Sequence, residues 1–200
     1  MLEETIIRAM EDEGLIEELS FENETSLELD FSGIKFTSVR FTKCHLNHCS
    51  FSGARFNDVF FECCDISNCS FADTFWRDSN IKGSKSMGSS FTKAFFRKLR
   101  IEESSFAYAN LTGTIWENCS ISESNFREVG FAEAKLKKLM IEDVDFTKAD
   151  FFKTSLNGLN MASCRIEGIT ISDSFSELKG LRISALQAVE LARLLGITVI

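Results

Sequence analysis

The sequence predicts a solenoid, a coiled repeat with one continuous core, on three observations. From Phe31 to Ile171 every fifth residue is large and apolar at 28 of 29 positions, with no slip of register. The residue two places before these centres is small or β-branched at 25 of the 29 positions. The 200 residues include no Pro. A five-residue period belongs neither to a helix, which repeats at about 3.6, nor to a strand, which repeats at about 2. Self-similarity at a fixed period marks stacked repeats. Missing Pro fits a chain whose N–H groups are needed in a ladder between coils.

The N-terminal segment, residues 1–28, holds ten acids against the single cation Arg8. Leu2, Ile6 and Met10 are spaced like successive helical turns, and Gly14 weakens the pattern. Phe21 is in register and Ser26 is not apolar, so the coil is expected to begin between 21 and 31. Residues 29–173 form the repeat proper. Fourteen of the 20 Phe sit on its apolar centres. Cys44, Cys49, Cys64, Cys69, Cys119 and Cys164 occupy the small slot; only Cys63 does not. Each unit therefore points one large and one small residue inward and three outward. Ser86 is the one failed centre. Lying between Gly83 and Gly88, it is expected to mark a bulge or bend.

A coil stack has two open ends and needs caps. Residues 174–200 supply one. Ser184-Ala185-Leu186-Gln187 reads as a capping box, opening a helix over 185–195 that Gly196 closes. Its polar residues are Gln187, Glu190 and Arg193, one narrow stripe. The rest is more apolar than a cap requires. The surplus, Leu186, Val189, Leu191, Leu194 and Leu195, is expected to pair with a second copy in a twofold dimer. The alternative is a helix covered by its own chain.

The units Cys49-Ser50-Phe51-Ser52-Gly53, Ala109-Asn110-Leu111-Thr112-Gly113 and Ala149-Asp150-Phe151 resemble the pentapeptide repeat, A(D/N)LXX, and the resemblance runs over residues 29–173. It implies an all-β fold, a right-handed quadrilateral parallel β-helix of about seven coils stacked at the strand spacing, with a C-terminal α-helical cap. The closing LLGITVI after an Ala- and Leu-rich helix resembles the tail of the quinolone-resistance, topoisomerase-protecting branch. Members of that branch are thought to mimic DNA in width and acidity and to bind type II topoisomerases. The resemblance implies DNA gyrase or topoisomerase IV as partner.

Charge is distributed unevenly. The net −8 arises in residues 1–28, because residues 29–173 hold 18 acids and 18 bases. If residues twenty apart lie above one another, the face centred on Phe36, Phe56 and Trp76 is basic. It carries Lys35, Arg55, Arg77, Arg97, Lys98, Lys135, Lys137 and Lys138 against Asp58, Asp78 and Glu117. Phe75, Phe95 and Ile115 then stack in one outward column beside Arg77 and Arg97, a patch a monomer normally avoids. Aromatics with Arg suit a protein partner. Two other readings stand: cover by the chain itself, including docking of the acidic N-terminal segment, and single-stranded nucleic acid. Direct binding of duplex DNA is not expected.

Enzyme chemistry is not expected, nor any cofactor. Cys44-His45-Leu46-Asn47-His48-Cys49 has the residue types of a zinc site, but the repeat points both Cys inward and both His outward. Cys63-Cys64 splits in the same way. Gly83-Ser84-Lys85-Ser86-Met87-Gly88 lacks the Lys a phosphate loop requires at position 89. Seven Cys and no basic-then-apolar leader point to a cytoplasmic protein with reduced thiols. No apolar run reaches membrane-spanning length.

Overall fold

The computed structural model describes residues 2–11, 14–194 and 196–199. The chain forms a parallel β-solenoid with four walls, and successive coils are related by a step of twenty residues. Two walls are seven-stranded sheets. Wall 1 runs through Leu15–Glu17, Lys35–Thr37, Arg55–Asn57, Phe75–Arg77, Phe95–Arg97, Ile115–Glu117 and Lys135–Lys137. Wall 2 runs from Ser20–Glu22 through Arg40–Thr42 and Phe60–Glu62 to Met140–Glu142. Wall 3 begins with Thr25–Leu27 against His45–Asn47 and continues as single bridges from Asp65 to Arg165. Wall 4 is a ladder of bridges from Asp30 to Thr170.

The five-residue period is the wall length. Three residues fit along a wall with the middle one inward, and a corner turns the chain. One corner residue takes a left-handed conformation, as at Ser38, Asp58, Asp78 and Lys98, with φ of 50–56°. Gly88 is such a corner, and a Cβ there would sit 2.7 Å from the Asn68 Oδ1 in the coil before.

Inside, the centres stack on their equivalents. Phe31, Phe51, Phe71 and Phe91 form one column with ring centroids 4.4, 4.8 and 4.7 Å apart. The small slot does more than save space. Its backbone N–H lies inside, where an unpaired donor is costly, and it borrows an acceptor from the next coil. Val59 N–H donates to Ser79 Oγ, Cys64 N–H to Ser84 Oγ and Cys69 N–H to Ser89 Oγ, at 3.1, 2.9 and 3.1 Å. In the Trp units the slot is Thr. Trp76 and Trp116 donate their indole N–H to Thr74 and Thr114, at 2.9 and 3.0 Å.

Three expectations are corrected. The coil begins earlier than residue 21: Leu15–Glu17 already pairs in register with Lys35–Thr37. Helix α1, Leu2–Glu11, packs on that first strand, with Leu2 and Ala9 buried in the common core. Backbone pairing decides where a coil starts, and Ser26 fits inside because Thr25–Leu27 pairs with His45–Asn47. Second, Ser86 marks no bulge. Lys85 bridges Asp65 and Ser105 at the regular step, and Ser86 N–H donates to Ser105 O at 2.7 Å. An inward hydroxyl lacks apolar bulk but does not disturb the ladder. Third, the acidic N-terminal segment does not lie across the basic face, because residues 15–28 are themselves the first coil.

The C-terminal end is closed by polar groups. Glu177, 2% exposed, follows a left-handed Phe175 in a short turn. Its carboxylate accepts the Lys153 N–H at 2.8 Å, the Ser172 N–H at 3.3 Å and the Ser172 hydroxyl at 2.8 Å. Burial alone would push this carboxyl up; the Ser172 and backbone donors outweigh it and hold the group below the usual range. Helix α2, Ala185–Leu194, starts on the expected capping box. Ser184 N–H donates to Gln187 Oε1 at 2.7 Å, and Gln187 N–H donates to Ser184 Oγ at 3.3 Å.

Candidate interaction surface

Wall 1 brings the predicted residues together. Phe75, Phe95 and Ile115 are consecutive register partners. The Phe75 and Phe95 rings stack at 5.3 Å with planes 9° apart. The three are half-buried, shielded by one another and by the Arg97 guanidinium, 5.4 Å from the Phe95 ring. The same outward column carries Lys35 and Arg55 before them and Lys135 after. An apolar strip is thus bracketed by cations.

The second column runs Arg77, Arg97, Glu117, Lys137. Glu117 accepts from Lys137 at 3.3 Å and from Arg97 at 3.1 Å, which together hold its carboxyl below the usual range. At the corner Lys98 pairs with Asp78 at 3.1 Å, and Arg77 lies 3.7 Å from the same carboxylate. Among the described residues Lys35, Arg55, Lys135 and Lys138 have no ion pair, so these four carry the wall's uncompensated charge. The exposed pairs stabilise little; their effect is to leave the cations at the two ends of the strip.

A second aromatic–cation contact lies on wall 2, where Arg40 sits 4.4 Å from the Phe60 ring. Arg40, twenty residues earlier, is the register partner of Phe60 and covers its ring.

On α2 the expected polar stripe splits. Gln187 turns inward and donates to the Met161 and Cys164 carbonyls, both at 2.7 Å, while Glu190 and Arg193 pair with each other. Leu191 packs against the core and Val189 is half-buried. Leu186 is 83% exposed and Leu194 is also exposed. Leu195 lies outside the described residues. The helix is therefore not covered by its own chain at Leu186.

The cysteines follow the repeat: Cys63 is exposed and the other six are buried and free. Burial pushes the Cys119 and Cys164 thiols up. His45 and His48 face outward, and among the described residues no group of three or more His, Cys, Asp or Glu is placed to hold a metal. Among the described residues no helix is long and apolar enough to cross a membrane.

A twenty-residue step, four walls and a small-then-large inward pair are the pattern of pentapeptide repeats. The family model for pentapeptide repeats matches residues 34–73 and 104–138. Among solved structures the fold is similar to two trypsin-treated forms of QnrB1, a plasmid-mediated fluoroquinolone resistance protein. The first superposes with TM-score 0.54 at 21% identity, covering 93% of this chain and 98% of that one. The second gives 0.53 at 21%, covering 93% and 97%. No curated protein matches the sequence.

Proposed function

We propose that the chain is a non-enzymatic, cytoplasmic binding rod that dimerises through α2 and engages a type II topoisomerase, DNA gyrase or topoisomerase IV, as a quinolone-resistance-like protein. The observation that carries the binding reading is wall 1. It presents an apolar strip, Phe75–Phe95–Ile115, bracketed by Lys35, Arg55 and Lys135, on a flat surface built for contact rather than catalysis. The fold likeness to QnrB1 and the quinolone-resistance tail support the choice of partner. The test is DNA supercoiling by gyrase with a fluoroquinolone present. Rescue by this protein is expected; no rescue at large molar excess removes the topoisomerase.

A second reading keeps the rod and changes the partner. It is favoured by the cationic character of wall 1, which does not imitate DNA. In it the strip binds another cytosolic protein, and Phe95→Asp abolishes capture of that protein while the coil stays folded. The dimer has its own test. Sedimentation at micromolar concentration is expected to give twice the chain mass, and Leu186→Asp to halve it.

A further inference from the structure

The ladder between coils is interrupted in one place on walls 1 and 2. Lys135–Lys137 and Met140–Glu142 are the last strands of their sheets, each paired only with the strand before it, Ile115–Glu117 and Ser120–Ser122. Walls 3 and 4 continue past this level, Asp145 bridging Arg165 and Asp150 bridging Thr170. The chain that comes next on walls 1 and 2 bonds onward instead. Leu156 N–H donates to Glu177 O at 3.0 Å, Gly158 N–H to Gly180 O at 3.1 Å, and Asn160 bridges Arg182.

Two donors are left on the wall 1 side of the gap. In earlier coils the corner N–H crosses to the next coil, Lys98 to Glu117 O at 2.9 Å and Asn118 to Lys137 O at 3.0 Å. Among the described residues neither Lys138 N–H nor Leu136 N–H has such an acceptor. Burial changes at the same place. Trp116 and Ile121 are buried, but Leu136 and Ile141 beneath them are only half-buried, and Met140 is 70% exposed. A fissure of ≈ 460 Å³ opens between Lys138, Leu139, Met140 and Ile141 on one lip and Gly158 and Arg182 on the other.

An open strand edge is a template for another strand. The side chains on this edge narrow what that strand can be. Lys135 and Lys137 point outward from it and Lys138 stands at its corner, so the same edge of a second copy would bring like charges face to face. We propose that the open edge of Lys135–Lys137, around the corner from this fissure, receives an extended acidic–apolar–acidic segment of a partner protein as an added parallel strand. The Leu136 and Lys138 N–H groups donate to its carbonyls. Its apolar side chain enters over Leu136, and its two carboxylates lie across from Lys135 and Lys137. The inference rests on the reading of the chain as a protein-binding rod and is independent of the partner's being a topoisomerase.

Amide hydrogen exchange on the full chain tests the open edge. Leu136, Lys138 and Ile141 are expected to exchange at least about tenfold faster than Trp116, Asn118 and Ile121 one coil earlier. A fluorescein-labelled peptide with a Glu-Ile-Glu centre is expected to slow Leu136 and Lys138. Its affinity, read by anisotropy, is expected to fall about tenfold or more when the two Glu nitrogens are methylated, when both Glu are replaced by Lys, and in the Lys135→Glu protein. Equal exchange of the two coils in the free protein overturns the proposal, as does absence of binding or affinity unchanged by methylation. Protection of these amides by an oligothymidine instead of the peptide also overturns it. The supercoiling assay separates the two readings. Peptide capture without fluoroquinolone rescue removes only the topoisomerase, and rescue without capture removes only the added strand.

Discussion

The two ends of the rod solve one problem with opposite chemistry. Each must close a coil whose next neighbour is missing. At the N-terminal end an amphipathic helix does it, with Leu2 and Ala9 in the core and acids such as Glu4 left in solvent. At the C-terminal end hydrogen bonds do it. Glu177 gathers the donors of Lys153 and Ser172, and Gln187 ties α2 to the carbonyls of Met161 and Cys164. An apolar lid tolerates imprecise geometry, and its loss is graded. A polar seal works only when every group is met, so its loss is abrupt.

Breaking the seal has the largest expected effect. Glu177→Ala unpairs two backbone donors and a hydroxyl at the closed end. It is expected to cost about 3 kcal/mol, the sum of a few unmet buried groups, read as a lower midpoint in urea. Its acid dependence sharpens the point. A carboxyl held below its ordinary value stabilises fully above the unfolded Glu value of about 4.3, and that contribution is lost as pH falls through the folded value. The advantage of wild type over Glu177→Gln is therefore expected to shrink as pH is lowered from 6 to 3. Leu2→Ala weakens the other end by about 2 kcal/mol, at the low limit for a buried Leu because a terminal helix can resettle. Exchange is expected to rise near Ile16 and Phe21, with the C-terminal coil unchanged. The smallest effect is a gain. Ser86 is fully buried and its Oγ has no partner. Ser86→Ala is expected to raise stability by about 1 kcal/mol, seen as a higher midpoint with both ends unaffected.

The interior was legible in the sequence because its signal is repeated. Phe75, Phe95 and Ile115 could be stacked by number alone, since any alternative would have to shift the whole register. The ends were less legible because each occurs once. Ser26 breaks the apolar pattern and still pairs, since the ladder is made by backbone groups that every residue carries. Glu177 gave no signal: it is one acid among 30 in the sequence, and its partners are the Lys153 N–H of an earlier coil and the N–H and hydroxyl of Ser172. Gln187 was legible as a capping residue but not as an inward one, because its side chain amide has two ends and only the oxygen serves the cap. The interrupted ladder left no trace, as Leu136, Ile141, Leu156 and Met161 keep the five-residue phase while the backbones part.

The twenty-residue step makes position on this molecule a matter of remainders. Excising one whole turn would shorten the rod and leave the surviving wall residues on the sides they occupy. Excising a single five-residue unit would rotate everything after it by a quarter turn, carrying Lys135 and its neighbours away from Phe75 and Phe95. Lineages of such a protein can therefore change length in large increments at little cost to their surfaces, while the smallest in-phase deletion scrambles them.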